Sequence, residues 1–257
     1  MPSPDLEHEL QLALELADAA DAITVSRFRA VDLRVTSKPD LTPVSEADES
    51  VERAIRARLA RERPTHAVVG EEYGAEGDSE WRWIVDPIDG TKNYVRGVPI
   101  WGTLIALQRG GDVVVGVVSA PALGRRWWAT RGGGAFAAGV PIHVSEVADL
   151  GDAFVTFAGY GTFRTGGRGE QLDTLLERSW RVRAFGDFWQ HMLVAEGAAD
   201  VAIDPEVSLW DLAPLQVIVE EAGGRFSDFA GRAMPDGGSG VSTNGRLHDE
   251  VLAIFGG

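Results

Sequence analysis

The chain has 257 residues, of which 44% are hydrophobic, and a formal net charge of −15 at pH 7. This length and composition predict a globular protein with a large core, and the acidic excess argues against nucleic-acid or anionic-membrane partners. The sequence contains no cysteine, which excludes disulfides and thiolate metal sites. Because it shows neither a membrane-spanning apolar run nor a signal-peptide pattern at residues 1–5, a cytoplasmic location is expected.

The N-terminal segment predicts two helices. Apolar residues keep helical spacing from Leu6 to Ala20, so an amphipathic helix is expected over about residues 4–30. A second helix is expected after Ser45, a typical N-cap residue. Asp48 follows three residues later, where a carboxylate stabilises a helix N-terminus by about 0.3–1 kcal/mol. That structural role is the first interpretation of Asp48.

Two buried strands are predicted to end at acidic residues. The apolar run 66–70 precedes Glu71, and the apolar run 83–85 precedes Asp86 and Asp89, which flank a proline that stiffens the turn. Because neighbouring carboxylates repel each other, hard divalent cations, above all Mg²⁺, are their expected partners. Each acidic pair taken alone could instead be an ordinary exposed turn.

The string Asp-Pro-Ile-Asp-Gly-Thr-Lys-Asn at residues 86–93 resembles the signature of the inositol monophosphatase superfamily, whose members are Mg²⁺-dependent phosphomonoesterases. Three other segments match pieces that this family carries elsewhere. They are the Asp-Leu-Thr-Pro-Val-Ser-Glu-Ala-Asp segment at 40–48, the Gly-Glu-Glu segment at 70–72 and the Trp-Asp-Leu-Ala segment at 210–213. The resemblance covers nearly the whole chain.

The middle of the chain predicts strands. Apolar β-type runs at 103–107, 113–118 and 126–129 are separated by turns, and the glycines at 132–134 predict a hairpin turn, since they lack the lysine of a phosphate-binding loop. Residues 141–145 resemble the next strand of the family. The second half alternates elements, with a strand at 154–157, a helix near 172–176, a strand at 180–185 and a helix that begins at Asp211 and ends before Gly223.

The resemblance implies an α/β fold, a layered αβαβα sandwich. It divides into an N-terminal α+β half, residues 1–147, with most metal ligands, and a C-terminal α/β half, residues 148–257, with the distal ligand and the specificity residues. Members of the family are commonly homodimers, so a homodimer is expected.

The resemblance also implies the chemistry, which is hydrolysis by metal-activated water with two or three Mg²⁺ ions. The implied metal ligands are Glu71, Asp86, the carbonyl of Ile88, Asp89 and Asp211. The implied catalytic residues are Asp48, Thr91 and Glu71, with Asp48 and Thr91 drawing the proton of the attacking water. The implied phosphate-binding residues are Asp89, Gly90, Thr91 and Asp211.

Residues 183–191 are expected to select the alcohol. Inositol-specific relatives have small residues here, whereas this chain has Asp187 and Trp189, and Asp204 stands where those relatives have a glutamate. Acids beside an aromatic ring favour a cationic leaving group, since a cation–π contact contributes about 0.5–2 kcal/mol. The string at 185–191 resembles that of bacterial histidinol-phosphatases of this fold, whose substrate carries an ammonium and an imidazole. These three residues are therefore implied to bind substrate, although Trp189 could instead belong to the core.

The expected function is hydrolysis of L-histidinol phosphate in histidine biosynthesis. Alternatives are inositol 1-phosphate or another small phosphate ester and, in a different class, a catalytically silent regulator that binds metal or phosphate. The five histidines lack metal-ligand spacing, which disfavours zinc, and no Gly-x-Ser-x-Gly elbow presents a serine nucleophile.

Overall fold

The computed structural model describes residues 4–39 and 42–256. Asp40 and Leu41, which belong to the first of the matching segments, lie outside the described residues. The helices are α1 (Pro4–Arg27), α2 (Glu46–Glu62), α3 (Thr91–Arg96), α4 (Tyr160–Thr165), α5 (Gly169–Arg178), α6 (Asp187–Ala195), α7 (Leu209–Glu221) and α8 (His248–Phe255). Of the helices in these ranges, none has the length and apolar character needed to cross a membrane.

The strands form two larger sheets and one small pair. They are β1 (Val35–Ser37), β2 (Pro43–Ser45), β3 (Ala67–Gly70), β4 (Gly74–Glu76), β5 (Trp81–Asp89), β6 (Gly102–Arg109), β7 (Asp112–Ala120), β8 (Arg125–Thr130), β9 (Gly134–Ala137), β10 (Val140–Pro141), β11 (Phe154–Phe157), β12 (Arg181–Arg183), β13 (Val201–Asp204), β14 (Arg225–Ser227) and β15 (Gly240–Thr243). One sheet has the order β10-β9-β8-β7-β6-β5-β3-β4, the other the order β12-β11-β13-β15-β14, and β1 pairs with β2.

Helices cover both faces of both sheets. On one face of the eight-stranded sheet, α1 and α2 pack through side chains such as Leu16 and Ile55. On its other face lie α6 and α7, with Phe188 and Leu215 in the shared core. These two helices also contact the five-stranded sheet, whose far face packs against α4, α5 and α8. The five layers confirm the expected αβαβα sandwich.

The central strand β6 shows why this part of the sequence is apolar throughout. Leu104 and Ala106 belong to the core on the α7 side, and Ile105 and Leu107 belong to the core on the α1 side. A strand that is buried on both faces has no position for polar alternation. The predicted strands between residues 102 and 129 are confirmed.

The strand predicted at residues 141–145 is correct only at its start. Strand β10 ends at Pro141, which pairs with Phe136, and the amide of Ile142 donates to the carbonyl of Ala135 on β9 at 3.0 Å. The amide of Val144 instead donates to the carbonyl of Ala222 at the end of α7, at 3.1 Å, so the segment leaves the first sheet after Ile142 and runs to α7. The division of the chain into two halves at residue 147 stays a prediction. The middle helix layer, α6 and α7, belongs to the C-terminal half of that division.

Gly116 allows α7 to lie close to β7. A Cβ atom at this position would be 2.7 Å from the carbonyl oxygen of Pro214 and 2.6 Å from a methyl group of Val217. No other residue type fits at that separation, because side-chain Cβ atoms do not approach so closely without moving the helix. The contact fixes the height of α7, and with it Asp211, above the sheet.

His248 is a buried histidine away from the acidic turn. Its ring nitrogens lie 2.9 Å from the Ser227 hydroxyl and 3.0 Å from the Thr243 hydroxyl. Burial lowers the pKa of His248 to about 4, from the usual value of 6.5. As the pH falls, His248 is therefore protonated in the unfolded chain at a higher pH than in the folded protein. The contribution to stability is present above about pH 6.5 and is lost as the pH falls toward 4, by up to about 3 kcal/mol.

We expect His248→Gln to flatten this pH dependence. The variant should be less stable than the wild type at pH 7.5, because it loses a buried and satisfied side chain. It should then lose less stability between pH 7.5 and pH 4.5, because the titrating group is gone. Urea unfolding at both pH values measures the two differences, and an identical loss in both proteins would contradict the prediction.

Candidate active site

The acidic turn at the end of β5 contains a β-bulge. Asp86 pairs with Leu104 and Asp89 pairs with Gly102, so three steps along β5 match two steps along β6. In a regular strand, residues three positions apart point to opposite faces of the sheet. The extra residue removes that alternation and allows both carboxylates to lie on the same side.

The third carboxylate comes from α7. Ser208 is the N-cap of this helix, and Asp211, its third residue, accepts a hydrogen bond from the Ser208 amide at 2.7 Å. The interpretation of Asp211 as the first residue or N-cap is therefore wrong, because it forms the other half of a capping box. Oxygen atoms of Asp86, Asp89 and Asp211 all lie within 4.8 Å of one another.

These carboxylates are held together although they repel one another. Burial, followed by the negative charges of Glu71, Asp89 and Asp211, raises the pKa of Asp86 well above its usual range. Burial also raises the pKa of Asp211 to about 7. Oδ1 of Asp86 is buried and has no hydrogen-bond partner among the described residues. A hard divalent cation satisfies such an arrangement, because it neutralises the charges and occupies the unpaired oxygen.

The structure brings Asp48 and Thr91 together. The Thr91 hydroxyl lies 3.1 Å from Oδ1 of Asp48 and 2.8 Å from the carbonyl oxygen of Ile88. The other oxygen of Asp48 accepts hydrogen bonds from the amide of Ser45 at 2.9 Å and from its hydroxyl at 2.5 Å. Burial raises the pKa of Asp48, against the effect of these hydrogen bonds. Asp48 therefore caps the N-terminus of α2 with one oxygen and contacts Thr91 with the other.

Gly90 connects the acidic turn to α3. It has a φ of +80°, the left-handed region that favours glycine, and it is the N-cap of α3. A Cβ atom here would lie 3.0 Å from the carbonyl oxygen of Ile100. Both the backbone conformation and the crowding therefore require glycine where Asp89 passes into Thr91.

Lys38 contacts Glu71, which the sequence analysis did not anticipate. Its ammonium lies 2.6 Å from Oε1 of Glu71 and 2.8 Å from Oε1 of Glu72. Burial opposes the charge of Lys38, but the hydrogen bonds to both glutamates raise its pKa overall. The Glu72 side chain is only 7% exposed, and burial raises its pKa to about 7. Glu71 therefore approaches the cluster with a cation already beside it.

Glu52, a second residue that the sequence analysis missed, holds the turn that carries Glu71. Its side chain is fully buried on α2 and accepts hydrogen bonds from the amides of Glu72, at 2.8 Å, and Tyr73, at 3.2 Å. Arg56 neutralises it at 2.8 Å. The available signal was its place on the helix, because Glu52 shares the buried stripe with Ile55 and a buried carboxylate needs partners.

A cavity of about 440 Å³ lies beside the carboxylate cluster. Asp89 and Asp211 line the end next to the cluster, and Phe185 and Asp187 line the other walls with Asp204. A second opening is lined by residues on the Lys38 side, which include Glu71, Gly90 and Thr91. Asp187 and Asp211 line both, so the two openings meet at the cluster.

Residues 5–256 match the inositol monophosphatase family. The chain belongs to the inositol monophosphatase family. It is 52% identical to the histidinol-phosphatase of Streptomyces coelicolor, over 98% of each chain, and 55% identical to that of Mycobacterium tuberculosis, over 95% of this chain and 96% of the relative. Its structure matches the inositol monophosphatase of Thermotoga maritima with a TM-score of 0.88 at 31% identity, over 97% of each chain. The family resemblance is therefore confirmed.

Inositol monophosphatases are metal-dependent enzymes that act on small phosphate esters, and the acidic cluster of this family member agrees with that chemistry. The structure brings together the oxygens of three of the implied ligands, Asp86, Asp89 and Asp211. Glu71 lies close enough to raise the pKa of Asp86, and the Ile88 carbonyl accepts the Thr91 hydroxyl. The roles of these residues stay predictions.

Of the three residues expected to select the alcohol, Asp187 and Asp204 line the cavity and Trp189 does not. Asp187 has a φ of +53°, and its Oδ2 accepts a hydrogen bond from Asn93 at 2.8 Å. Burial, followed by the charge of Asp204, raises the pKa of Asp187 to about 6. Trp189 packs against Phe185, with ring centroids 4.7 Å apart, and against the core. Trp189 does not line the cavity, whereas Phe185 and Phe188 do.

We expect Asp86→Asn to remove most of the stabilisation that divalent cations give to this protein. Without cations the variant should be more stable than the wild type, because one of the repelling buried carboxylates becomes neutral. With Mg²⁺ at a hundredfold excess over Kd, the wild type should gain about 2.7 kcal/mol and the variant should gain little. Thermal unfolding in EDTA and in MgCl₂ measures both effects.

Asp112→Asn is the matched control, because Asp112 is an exposed aspartate on β7. It should behave as the wild type in both buffers. A full response to Mg²⁺ in Asp86→Asn would show that the cluster does not hold the cation.

Proposed function

We propose that this chain hydrolyses L-histidinol phosphate to L-histidinol and phosphate, with two or three Mg²⁺ ions. The observation that carries the proposal is the cavity in which Asp187 and Asp204 stand beside the carboxylate cluster. The cluster suits a phosphate bound through cations, and the two further acids suit a cationic alcohol. Relatives that are named histidinol-phosphatases, at 52% and 55% identity over nearly the full chain, support the same substrate.

The phosphate end of the site consists of acidic side chains and one carbonyl. Bound divalent cations supply Lewis acidity, which offsets the charge of the phosphate and makes water more acidic. The residues that would hold them are Glu71, Asp86, the carbonyl of Ile88, Asp89 and Asp211. Lys38 donates a hydrogen bond to Oε1 of Glu71. The other oxygen of Glu71, Oε2, is therefore more readily available to a cation.

Asp48 and Thr91 would orient the attacking water. Because Ser45 occupies Oδ2 of Asp48, Oδ1 is the oxygen that faces Thr91. A hydroxyl carries a single proton, and when Thr91 donates it to Asp48, the lone pairs of Thr91 can accept a hydrogen bond from water. The proton of the water then lies on a path through the Thr91 oxygen to Asp48, which increases the nucleophilicity of the water.

The other end of the cavity would bind histidinol. In histidinol phosphate the ammonium is attached to the second carbon from the ester oxygen, so it must lie close to the phosphate site. Asp187 meets this requirement, because the amide of the next residue, Phe188, donates to Asp89 at 2.5 Å. Phe185 offers an apolar surface to the imidazole, and Asp204 supplies a second negative charge.

An inositol 1-phosphate phosphatase is the alternative within the family, and a silent regulator is the alternative outside it. A neutral polyol would bring no positive charge to Asp187 and Asp204, near which Lys92 also lines the cavity. A regulator would not need the contact between Asp48 and Thr91. On the family resemblance we further propose that the enzyme is a cytoplasmic homodimer.

The decisive experiment is phosphate release with Mg²⁺ from four esters: histidinol phosphate, inositol 1-phosphate, fructose 1,6-bisphosphate and adenosine 3′,5′-bisphosphate. We expect a preference for histidinol phosphate of about a hundredfold in kcat/KM, which corresponds to about 2.7 kcal/mol of transition-state binding. A preference for inositol 1-phosphate would keep the phosphatase and reject the substrate. No release from any ester would favour the regulator.

Asp187→Asn tests the contribution of one negative charge. Asparagine also adopts positive φ and can still accept the hydrogen bond from Asn93, so the variant removes the charge and keeps the local structure. We expect kcat/KM for histidinol phosphate to fall tenfold or more, about 1.4 kcal/mol, with little change for glycerol 2-phosphate, whose leaving group is uncharged. Equal losses on the two substrates would argue against a cation-binding role.

A further inference from the structure

A buried hydrogen-bond network lies behind Asp204. Oδ2 of Asp204 is 2.7 Å from Nε2 of Gln190 and 2.6 Å from Nε2 of His191. The other ring nitrogen of His191 is 2.7 Å from the hydroxyl of Ser242 on β15. Gln190, His191 and Ser242 are fully buried. We call these three residues the Asp204 clamp.

The clamp determines which oxygen of Asp204 can meet a ligand. Oδ2 has two partners in the clamp, whereas Oδ1 takes part in no hydrogen bond within the described part of the chain. Asp204 lines the cavity, so Oδ1 is the oxygen left for a bound molecule. A carboxylate oxygen accepts hydrogen bonds, so Oδ1 can take a donor group of the bound molecule.

Gln190 also connects Asp204 to the region around Asp187. Its Nε2 donates to Asp204, and its Oε1 accepts the amide of Gly186 at 3.2 Å. Both halves of the amide are therefore in use, and a flipped amide would place donor against donor and acceptor against acceptor. Gly186 directly precedes Asp187. The buried side chain of Gln190 therefore links the backbone next to Asp187 to the side chain of Asp204.

The position of the clamp on α6 explains the link. Asp187, Gln190 and His191 are separated by three and four residues and therefore lie on one face of the helix. That face meets β13, which ends at Asp204, and β15, which carries Ser242. A single helix thus presents Asp187 from its first turn and holds Asp204 from its second.

We propose that Gln190 and His191, supported by Ser242, are positioning residues that hold Asp204 as a fixed anionic acceptor for the cationic leaving group. This inference rests on the proposed function. Gln190 and His191 contact Asp204, and Ser242 contacts His191. None of these hydrogen bonds involves Asp86, Asp89 or Asp211, so the clamp is expected to act on the discrimination between leaving groups. A purely structural role would affect all phosphate esters alike.

Gln190→Met tests the clamp, because methionine has a similar length and shape but neither a donor nor an acceptor. We expect kcat/KM for histidinol phosphate to fall tenfold or more, chiefly through a higher KM, while glycerol 2-phosphate changes less than twofold. Titration calorimetry with L-histidinol in MgCl₂ should show a Kd raised by a similar factor, with the Kd of inorganic phosphate unchanged. His191→Gln, which keeps a long side chain with a donor, should restore more function than His191→Leu.

His248→Gln is the matched control, because His248 is a second buried histidine, held between the hydroxyls of Ser227 and Thr243, and takes no part in the clamp. It should leave the preference between substrates unchanged. If Gln190→Met does not fold, as judged by its thermal unfolding, Ser242→Ala serves as the second variant. It removes only the outer hydrogen bond and should raise the KM for histidinol phosphate by a smaller factor.

The outcomes separate this inference from the proposed function. A wild-type enzyme without preference for histidinol phosphate would reject the proposed function, and the inference with it. A wild-type preference that persists in Gln190→Met, or equal losses on both esters, would reject the inference alone. A selective loss for histidinol phosphate supports both.

Discussion

The structure depends on holding three mutually repelling carboxylates within a few ångströms of one another in a buried place. The bulge in β5 turns Asp86 and Asp89 to the same side, and the capping box of α7 orients Asp211. The amide of Phe188 gives Asp89 a partner. The hydrogen bonds to Asp89 and Asp211 each satisfy one oxygen of a carboxylate and so restrict where the other can point. The repulsion that remains is the driving force for cation binding, since a cation converts an unfavourable arrangement into a favourable one.

The middle helix layer serves both ends of the cavity. Helix α7 brings Asp211 to the cluster, and its height above the sheet is set where Gly116 meets Pro214. Helix α6 carries Asp187 at its start, and its second residue donates to Asp89. The cation site and the leaving-group site therefore share rigid elements. The layer is buried between the two sheets. A change in its packing would therefore shift both sites together.

Local patterns predict the acidic turn and the helix after Ser45, and the family resemblance implies the pairing of Asp48 with Thr91. Neither reveals Lys38 or Glu52, whose partners lie 33 and 20 residues away. The expected substrate contact of Trp189 fails for a different reason. Because α6 begins at Asp187, Trp189 lies on the part of the helix that packs against the core. Phe185, which precedes the helix, lines the cavity. The segment after Ile142 shows the same limit, since the amide of Val144 donates to Ala222 at the end of α7.

The additional carboxylates are the feature that most restricts the choice of substrate. Asp187 and Asp204 stand beside a cluster that is already anionic, so each adds to the repulsion at Asp89. Such groups are unfavourable unless the bound molecule brings positive charge to them. Divalent cations can neutralise the phosphate end, but they add no positive charge beside these two acids. A site that is built for a charged group discriminates strongly against an analogue that lacks it, because the analogue leaves buried charges unpaired. Under the proposed function, the preference for a cationic ester would come from the cost of carboxylates that lack a cation as much as from attraction.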